Sequence, residues 1–261
     1  MFRLWRRLVY AIGDWVTADR KPYCMEPEYR RIVKDLEPGD VILHRDERFG
    51  PTCWFIGGQM VHAGLYIGNG TVIEAISEGV KKRDVGKILE ADYTIVVRPQ
   101  LNLVHPFDRN VVIPNALYKA NEIVGLPYDP MFDFCDSEEL DRIRKVKRGQ
   151  PVDDVSFCCT EIPYYCYSQW RDRFNLYRRR NTSVFVKLLK VLGLHPGEAV
   201  IDADMYVTAP GFRVVWCSAR ATPEWAAKVG ASEAFIAKIM PYWNMHRITG
   251  DSLIGVEFGA S

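Results

Sequence analysis

Two apolar runs separated by three small or polar residues are the feature that most constrains the fold of this chain. Residues 60–67 and 71–76 are rich in β-branched and aliphatic side chains, and the residues between them are Gly-Asn-Gly. Turns of this composition adopt the positive φ angles that join antiparallel strands. The pattern therefore predicts a β-hairpin, whose register decides which side chains of the two strands lie together.

Further strands and helices are predicted around the hairpin. Short apolar runs bounded by turn residues predict strands at residues 41–43, 93–98 and 211–217. Helical composition predicts helices at residues 26–36, 116–124, 158–170, 184–192 and 223–239. Pro114 is expected in the first turn of the second helix, since proline is tolerated there. Because the strands cluster near residues 40–98, we expect an α+β fold with an antiparallel sheet packed against helices.

Length, charge and cysteine content limit the classes of function. The chain has 261 residues and 48% hydrophobic content, enough to bury a full core. Its 34 basic and 33 acidic residues give a net charge of +1, so no overall field attracts nucleic acid and no nucleic-acid partner is expected. The seven cysteines form an odd set without CxxC pairs, which is unlike a disulfide framework or a zinc site. We expect a reducing compartment, no metal ion and no cofactor.

The first residues have the pattern of an amphipathic helix. Apolar side chains from Phe2 to Trp15 recur at helical spacing opposite three arginines. Two interpretations remain open, a helix packed on its own domain and an anchor lying on a membrane surface. Residues 13–14 interrupt the apolar stretch, and no small-residue cleavage site follows, so no signal peptide is expected. We expect synthesis in the cytoplasm, followed by peripheral membrane association or non-classical delivery.

Cys159 is the candidate nucleophile and His62 the candidate base. Cysteine attacks a carbonyl carbon as the thiolate, which a helix start and a nearby base stabilise, and Cys159 lies at the start of a predicted helix. Cys158 is the adjacent alternative, although a buried cysteine more often fills the core. His62 lies in the first strand of the hairpin. His44 is the alternative base, and we expect it at a solvated strand end.

Glu74, on the second strand of the hairpin, is the candidate for orienting the imidazole of His62. A two-residue turn alone would set a register that faces Glu74 away from His62. A three-residue loop at 68–70, or an equivalent bulge, pairs His62 with Ile76 and leaves Glu74 diagonal to His62 on the same face. We predict this second register.

In their order along the chain, these motifs resemble the YiiX-like, circularly permuted branch of the NlpC-type papain-like hydrolases, which are related to lecithin:retinol acyltransferases. The similar segments are residues 39–43, 62–68, 72–75, 125–129 with Phe132, and 159–161. Histidine before cysteine is the permuted order, and the ordered set is more specific than any one motif. The resemblance covers roughly residues 37–217 and implies a circularly permuted papain-like (NlpC-type) fold.

The resemblance implies Cys159 as nucleophile, His62 as base and Glu74 as the group that orients His62. The resemblance does not identify the substrate contacts, so these are predicted from positions near the catalytic motifs. The candidate substrate-binding residues are Tyr66, Tyr128, Asp129 and Thr160. For the two residues at 128–129, a role in a turn is an equally good interpretation.

The sequence predicts three regions of the chain and one leading activity. We expect an N-terminal helical extension at 1–36, a hydrolase domain at 37–217 and a C-terminal helical extension packed on the core at 218–261. The leading hypothesis is a cysteine peptidase or amidase that forms an acyl-enzyme, with cell-wall peptides as the substrate class the resemblance implies. The alternatives are a lipid acyl hydrolase or acyltransferase at a membrane surface, and a non-catalytic binding module. The expected partner is therefore a peptide or an acyl lipid.

Overall fold

A six-stranded antiparallel sheet organises the molecule. The computed structural model describes residues 26–50, 58–129, 156–177, 179–180 and 199–248, together with positions 17, 53, 187 and 191. The strands are β1 (Val41–Arg45), β2 (His62–Gly68), β3 (Thr71–Ile76), β4 (Gly79–Asp84), β5 (Tyr93–Pro99), β6 (Arg179–Arg180), β7 (Ala199–Val200) and β8 (Phe212–Cys217). The large sheet has the order β4-β3-β2-β1-β5-β8, and β6 pairs with β7 separately.

Helices lie against this sheet. They are α1 (Glu26–Asp35), α2 (Val85–Leu89), α3 (Arg109–Glu122), α4 (Glu161–Cys166), α5 (Arg171–Phe174), α6 (Asp204–Thr208), α7 (Pro223–Lys228) and α8 (Glu233–Ile248). Two 3₁₀ turns cover Leu101–Leu103 and Ser168–Trp170. None of the helices within the described residues has the length and apolar content needed to cross a membrane. The α+β organisation with an antiparallel sheet is confirmed.

The two faces of the sheet bury two separate apolar clusters, as strand alternation requires. The larger cluster includes Leu43, Leu65 and Ile73 and contains residues of α3, α4 and the C-terminal helices. The smaller cluster includes Tyr66 and lies against α2 and α1. Helices therefore cover both faces of the sheet.

The hairpin of β2 and β3 has the predicted register. Its tip is a two-residue turn at 69–70 with φ angles of 51° and 69°, both in the left-handed region that Asn and Gly tolerate best. A β-bulge between Tyr66 and Gly68 then shifts the pairing so that Gly64 lies opposite Glu74. The bulge, rather than a three-residue loop, places Glu74 on the face that carries His62.

Other expectations need correction. Pro114 lies inside α3 rather than in its first turn, because the helix begins five residues before the proline, at Arg109. The buried residues Val112, Ala116 and Ala120 continue the helical stripe across the proline. The helix predicted at 223–239 is two helices, because Gly230 breaks it with a φ of 79°. Strand β4 was not predicted, since its four charged residues hide the alternation of an edge strand.

Two predicted helices lie outside the described residues. They are the amphipathic segment at 2–15 and most of the helix predicted at 184–192.

At the other end of the chain, α7 and α8 pack on the main core. Trp225 stacks on Tyr93 with ring centroids 4.1 Å apart, and the Lys238 ammonium donates to the Phe212 carbonyl at 3.5 Å.

Candidate active site

Cys159 lies in a turn that several backbone hydrogen bonds hold in place before α4. The Asp129 N–H donates to the Phe157 carbonyl at 3.0 Å, and the Phe157 N–H donates to the Pro127 carbonyl at 3.1 Å. These bonds tie the loop after α3 to the chain just before the cysteine pair. The Cys159 side chain is buried, and its sulfur lies 3.8 Å from the carbonyl oxygen of Val61, directly before β2.

Two side chains secure the same turn from the other side. The Cys158 N–H donates to the Glu161 carboxyl Oε2 at 2.7 Å, and the Tyr206 hydroxyl donates to the Thr160 carbonyl at 2.7 Å. Backbone groups that would otherwise be unpaired near the start of the short helix α4 are thus satisfied. The position of Cys159 is therefore fixed by α4, α6 and the loop after α3 together.

His62, the first residue of β2, joins Cys159 to Glu74. Its Nε2 lies 2.6 Å from Glu74 Oε2, and the Cys159 thiol is near enough to the ring for each group to shift the pKa of the other. Because Nε2 is engaged by the carboxylate, Nδ1 is the ring nitrogen left for the sulfur. Glu74 is almost fully buried, and its Oε1 accepts a 2.8 Å hydrogen bond from Arg83 Nη1. The side chains form a line of four: Cys159, His62, Glu74 and Arg83.

The electrostatics of this line favour an ion pair. Burial lowers the pKa of His62, but the charge on the nearby Cys159 and the hydrogen bond that His62 donates to the Glu74 carboxylate outweigh burial and raise that pKa to about 10. Burial likewise opposes ionisation of Cys159, yet His62 and the backbone N–H groups of Ala63 and Thr160 lower the thiol pKa below its ordinary value. The arrangement therefore suits a thiolate beside an imidazolium.

The neighbouring Cys158 has the opposite environment. Its side chain is fully buried, its sulfur lies 3.4 Å from the Thr160 hydroxyl, and burial together with the nearby Glu161 raises its pKa well above the usual value. Glu161 is itself buried, and burial and Asp129 raise the pKa of its carboxyl well above the ordinary range. Of the two adjacent cysteines, only Cys159 is poised to ionise.

His44 does not lie at a solvated strand end. It is the direct cross-strand neighbour of His62, and the two rings meet edge to face with centroids 4.7 Å apart. The residue is half-buried, and its Nδ1 atom is buried without a hydrogen-bond partner. Burial, followed by the charge on His62, lowers the His44 pKa to about 3, so this ring stays neutral. The expectation was wrong because β1 continues past His44 and pairs there with β2.

The start of β2 is anchored by a residue distant in sequence. Asp204, in the first turn of α6, is buried and accepts hydrogen bonds from the backbone N–H groups of Gln59 at 2.7 Å and Met60 at 2.8 Å. Two residues beyond His62, a Cβ on Gly64 would lie 2.7 Å from both Ile88 Cδ1 and Val72 Cγ2. Gly64 thus permits close packing beside Glu74.

The four predicted substrate-binding residues occupy different places. Tyr66 is buried in the smaller core, and its hydroxyl accepts the Gly70 N–H at the hairpin tip, so the structure does not bring it to Cys159. Thr160 follows the nucleophile and is buried. Half-buried Tyr128 neighbours Cys159, whose charge helps to raise the tyrosine pKa after burial itself. Asp129 is buried near Glu161. Substrate contacts for these residues remain predictions.

Arg83 and Asp204 are site residues that sequence reasoning missed, and His44 is one that it placed wrongly. Recognising β4 as an edge strand would have placed Arg83 two residues from the position opposite Glu74, within diagonal reach. The pairing of β1 with β2 would have placed His44 beside His62. Asp204 gives no comparable signal, because a distant buried carboxylate that accepts backbone N–H groups has no local pattern.

Comparisons with known proteins add little beyond the fold. No protein-family model and no curated protein sequence matches the chain. The chain is similar to the crystal structure of the metalloprotein YiiX from Escherichia coli O157:H7, at 16% identity and a TM-score of 0.46, over 69% of this chain and 96% of that one. Within the described ranges, no three His, Cys, Asp or Glu side chains are grouped so as to hold a metal ion.

Proposed function

We propose that this protein is a cysteine hydrolase of circularly permuted papain-like fold, with Cys159 as nucleophile, His62 as general base and acid, and Glu74 as the residue that orients His62. The observation that carries the proposal is the 2.6 Å hydrogen bond between His62 and the buried Glu74, with Cys159 near enough to His62 for each of the two to shift the pKa of the other. A nucleophile, a base and a third group that holds the base are the parts that acyl transfer requires. The order of histidine before cysteine supports the permuted arrangement.

The reaction would proceed in two halves. The Cys159 thiolate attacks the substrate carbonyl carbon, and His62 gives its Nδ1 proton to the leaving group as the bond to the carbonyl breaks, which leaves a thioester. Neutral His62 then removes a proton from water, whose oxygen attacks the thioester carbon. The Cys159 thiolate departs, and the imidazolium is restored. Throughout, Glu74 accepts from Nε2 and keeps the ring oriented.

Amides are the proposed substrates. An amine leaves an acyl centre only with a proton, so amide cleavage depends on a positioned general acid more strongly than ester cleavage does. The Glu74 hydrogen bond and the Cys159 charge keep His62 protonated in the resting site, which supplies that acid. A peptide or peptidoglycan-like amide is therefore proposed ahead of an acyl lipid.

The test is to trap the acyl-enzyme. Wild type and Cys159→Ala are incubated with a panel of peptide amides, cell-wall peptides and phospholipid vesicles, and intact mass is followed together with product release. Cys158→Ala is the matched control, because it removes the adjacent, fully buried thiol. We expect turnover of an amide and a mass adduct on the peptide that contains Cys159, both retained in Cys158→Ala and lost in Cys159→Ala.

Other outcomes would redirect the assignment. Turnover of the vesicles alone would show a lipid acyl hydrolase with the same nucleophile. Full activity in Cys159→Ala would contradict the proposal. A reactive Cys159 that never forms an adduct with any member of the panel would favour a binding module.

A further inference from the structure

Arg83 completes the line of side chains that begins at Cys159. It lies on the edge strand β4, and its Nη1 donates to Glu74 Oε1 at 2.8 Å while the other carboxylate oxygen lies 2.6 Å from His62. The Glu74 side chain is 2% exposed and the Arg83 side chain 34% exposed. A buried carboxylate is therefore held at both oxygens, by the histidine on one side and by an arginine that reaches in from the solvent edge.

The charges along this line alternate. In the resting state of the proposed reaction they run from the Cys159 thiolate through the His62 imidazolium and the Glu74 carboxylate to the Arg83 guanidinium, and they sum to zero. Without the guanidinium the buried group would carry a net negative charge, which opposes formation of the thiolate. Because arginine stays protonated at any working pH, its tie to Glu74 does not titrate away.

We infer that Arg83 is a positioning residue for the proposed reaction, which fixes the Glu74 carboxylate so that its Oε2 holds His62. This role rests on the proposed function. With Oε1 engaged by the guanidinium, the carboxylate plane cannot rotate away from the imidazole without breaking a charge-assisted hydrogen bond. Arg83 acts through Glu74 and does not touch the reacting atoms.

The same strand provides a matched control. Lys81 is the direct cross-strand neighbour of Glu74, yet its ammonium binds Glu78 at the exposed edge, and Arg83 makes the diagonal contact instead. Lys81→Gln therefore removes one positive charge from the same strand without breaking the tie to Glu74. Besides Arg83, the groups whose charge lowers the pKa of Glu74 are His62 on β2 and His44 on β1.

The experiment measures the alkylation rate of Cys159 by iodoacetamide against pH in wild type, Arg83→Gln, Arg83→Lys and Lys81→Gln. We expect Arg83→Gln to react about tenfold more slowly near neutral pH, since it loses a hydrogen bond to a charged group. Its acid limb should move to higher pH, because loss of the cation and a misoriented Glu74 both disfavour the thiolate. Arg83→Lys should recover most of the rate, and Lys81→Gln should match wild type.

A second pair of variants keeps the test decisive if Arg83→Gln does not fold. Glu74→Gln and the double variant Glu74→Gln/Arg83→Gln leave no uncompensated buried carboxylate. If Arg83 acts mainly through Glu74, the alkylation rates of these two variants should differ by far less than the tenfold expected when Arg83 alone is replaced. A double variant that is tenfold slower than Glu74→Gln would overturn the inference.

Alkylation needs no substrate, so the two proposals fail in different ways. A wild-type profile that depends on His62, combined with an Arg83→Gln profile identical to that of Lys81→Gln, would overturn the role of Arg83 alone. A Cys159 whose reactivity is independent of His62 would overturn the proposed function as well.

Discussion

Replacing Glu74 with glutamine should lower the pKa of His62 by a measurable amount. The substitution preserves the shape of a nearly fully buried side chain but replaces a carboxylate that lies 2.6 Å from His62 Nε2. A hydrogen bond to a charged group contributes about 1.5–3 kcal/mol. Since about 1.4 kcal/mol corresponds to one pKa unit, the His62 pKa should fall by about one to two units.

The assay should separate this effect from that of the thiolate. In a Cys159→Ala background, the ring C–H resonances of His62 are followed by NMR across the pH range, with and without Glu74→Gln. The difference between the two titrations then reports Glu74 alone. Glu78→Gln is the control, since it removes an exposed carboxylate from the same sheet edge. A His62 pKa that is equal in the presence and absence of Glu74 would refute the orienting role.

Three further predictions concern the supports of the site. Gly64→Ala should lower the free energy of unfolding by about 1–3 kcal/mol, and Ile88→Val should relieve part of this loss. A double-mutant cycle measured by chemical denaturation tests the coupling, and additive effects would refute the predicted clash. Asp204→Ala leaves two N–H groups at the start of β2 unpaired, so it should lower the free energy of unfolding by about 2–5 kcal/mol in the same assay. The same variant should slow Cys159 alkylation, and an unchanged alkylation rate would show that Asp204 does not position the site. The pKa of His44 is lowered from its ordinary value of 6.5 to about 3 in the folded protein. Below pH 6.5 the unfolded chain therefore binds a proton at His44 that the folded protein does not bind, so the free energy of unfolding falls as the pH falls. Wild type should therefore lose about 1.4 kcal/mol more per pH unit than His44→Gln below pH 6.5, and parallel curves would contradict a buried neutral ring.

The hairpin explains why part of the site was predictable. The period of a strand is two residues, so a turn sequence and two apolar runs leave only a few registers, and one of them places Glu74 beside His62. The observed bulge gives that register. Cysteine at the start of a helix adds a chemical constraint, although the sequence does not show that its sulfur reaches β2.

What escaped prediction depends on contacts between distant elements. The charges of β4 look like a solvated segment until its pairing with β3 is known, and Arg83 was missed for that reason. The position of His44 beside His62 follows from the pairing of β1 with β2, which no local pattern sets. Asp204 lies more than 140 residues from the N–H groups it binds, as the sequence separations of 145 and 144 show.

The central claim, a thiolate on Cys159 stabilised by His62, is tested most directly by measuring alkylation of the cysteine pair against pH. Peptide mass spectrometry with fragmentation separates Cys159 from Cys158, and His62→Ala is compared with wild type. The account predicts that Cys159 reacts rapidly well below the usual thiol pKa of about 8.5, that Cys158 stays slow, and that His62→Ala abolishes the difference. Two cysteines that react alike, with an ordinary thiol profile that does not change in His62→Ala, would contradict it.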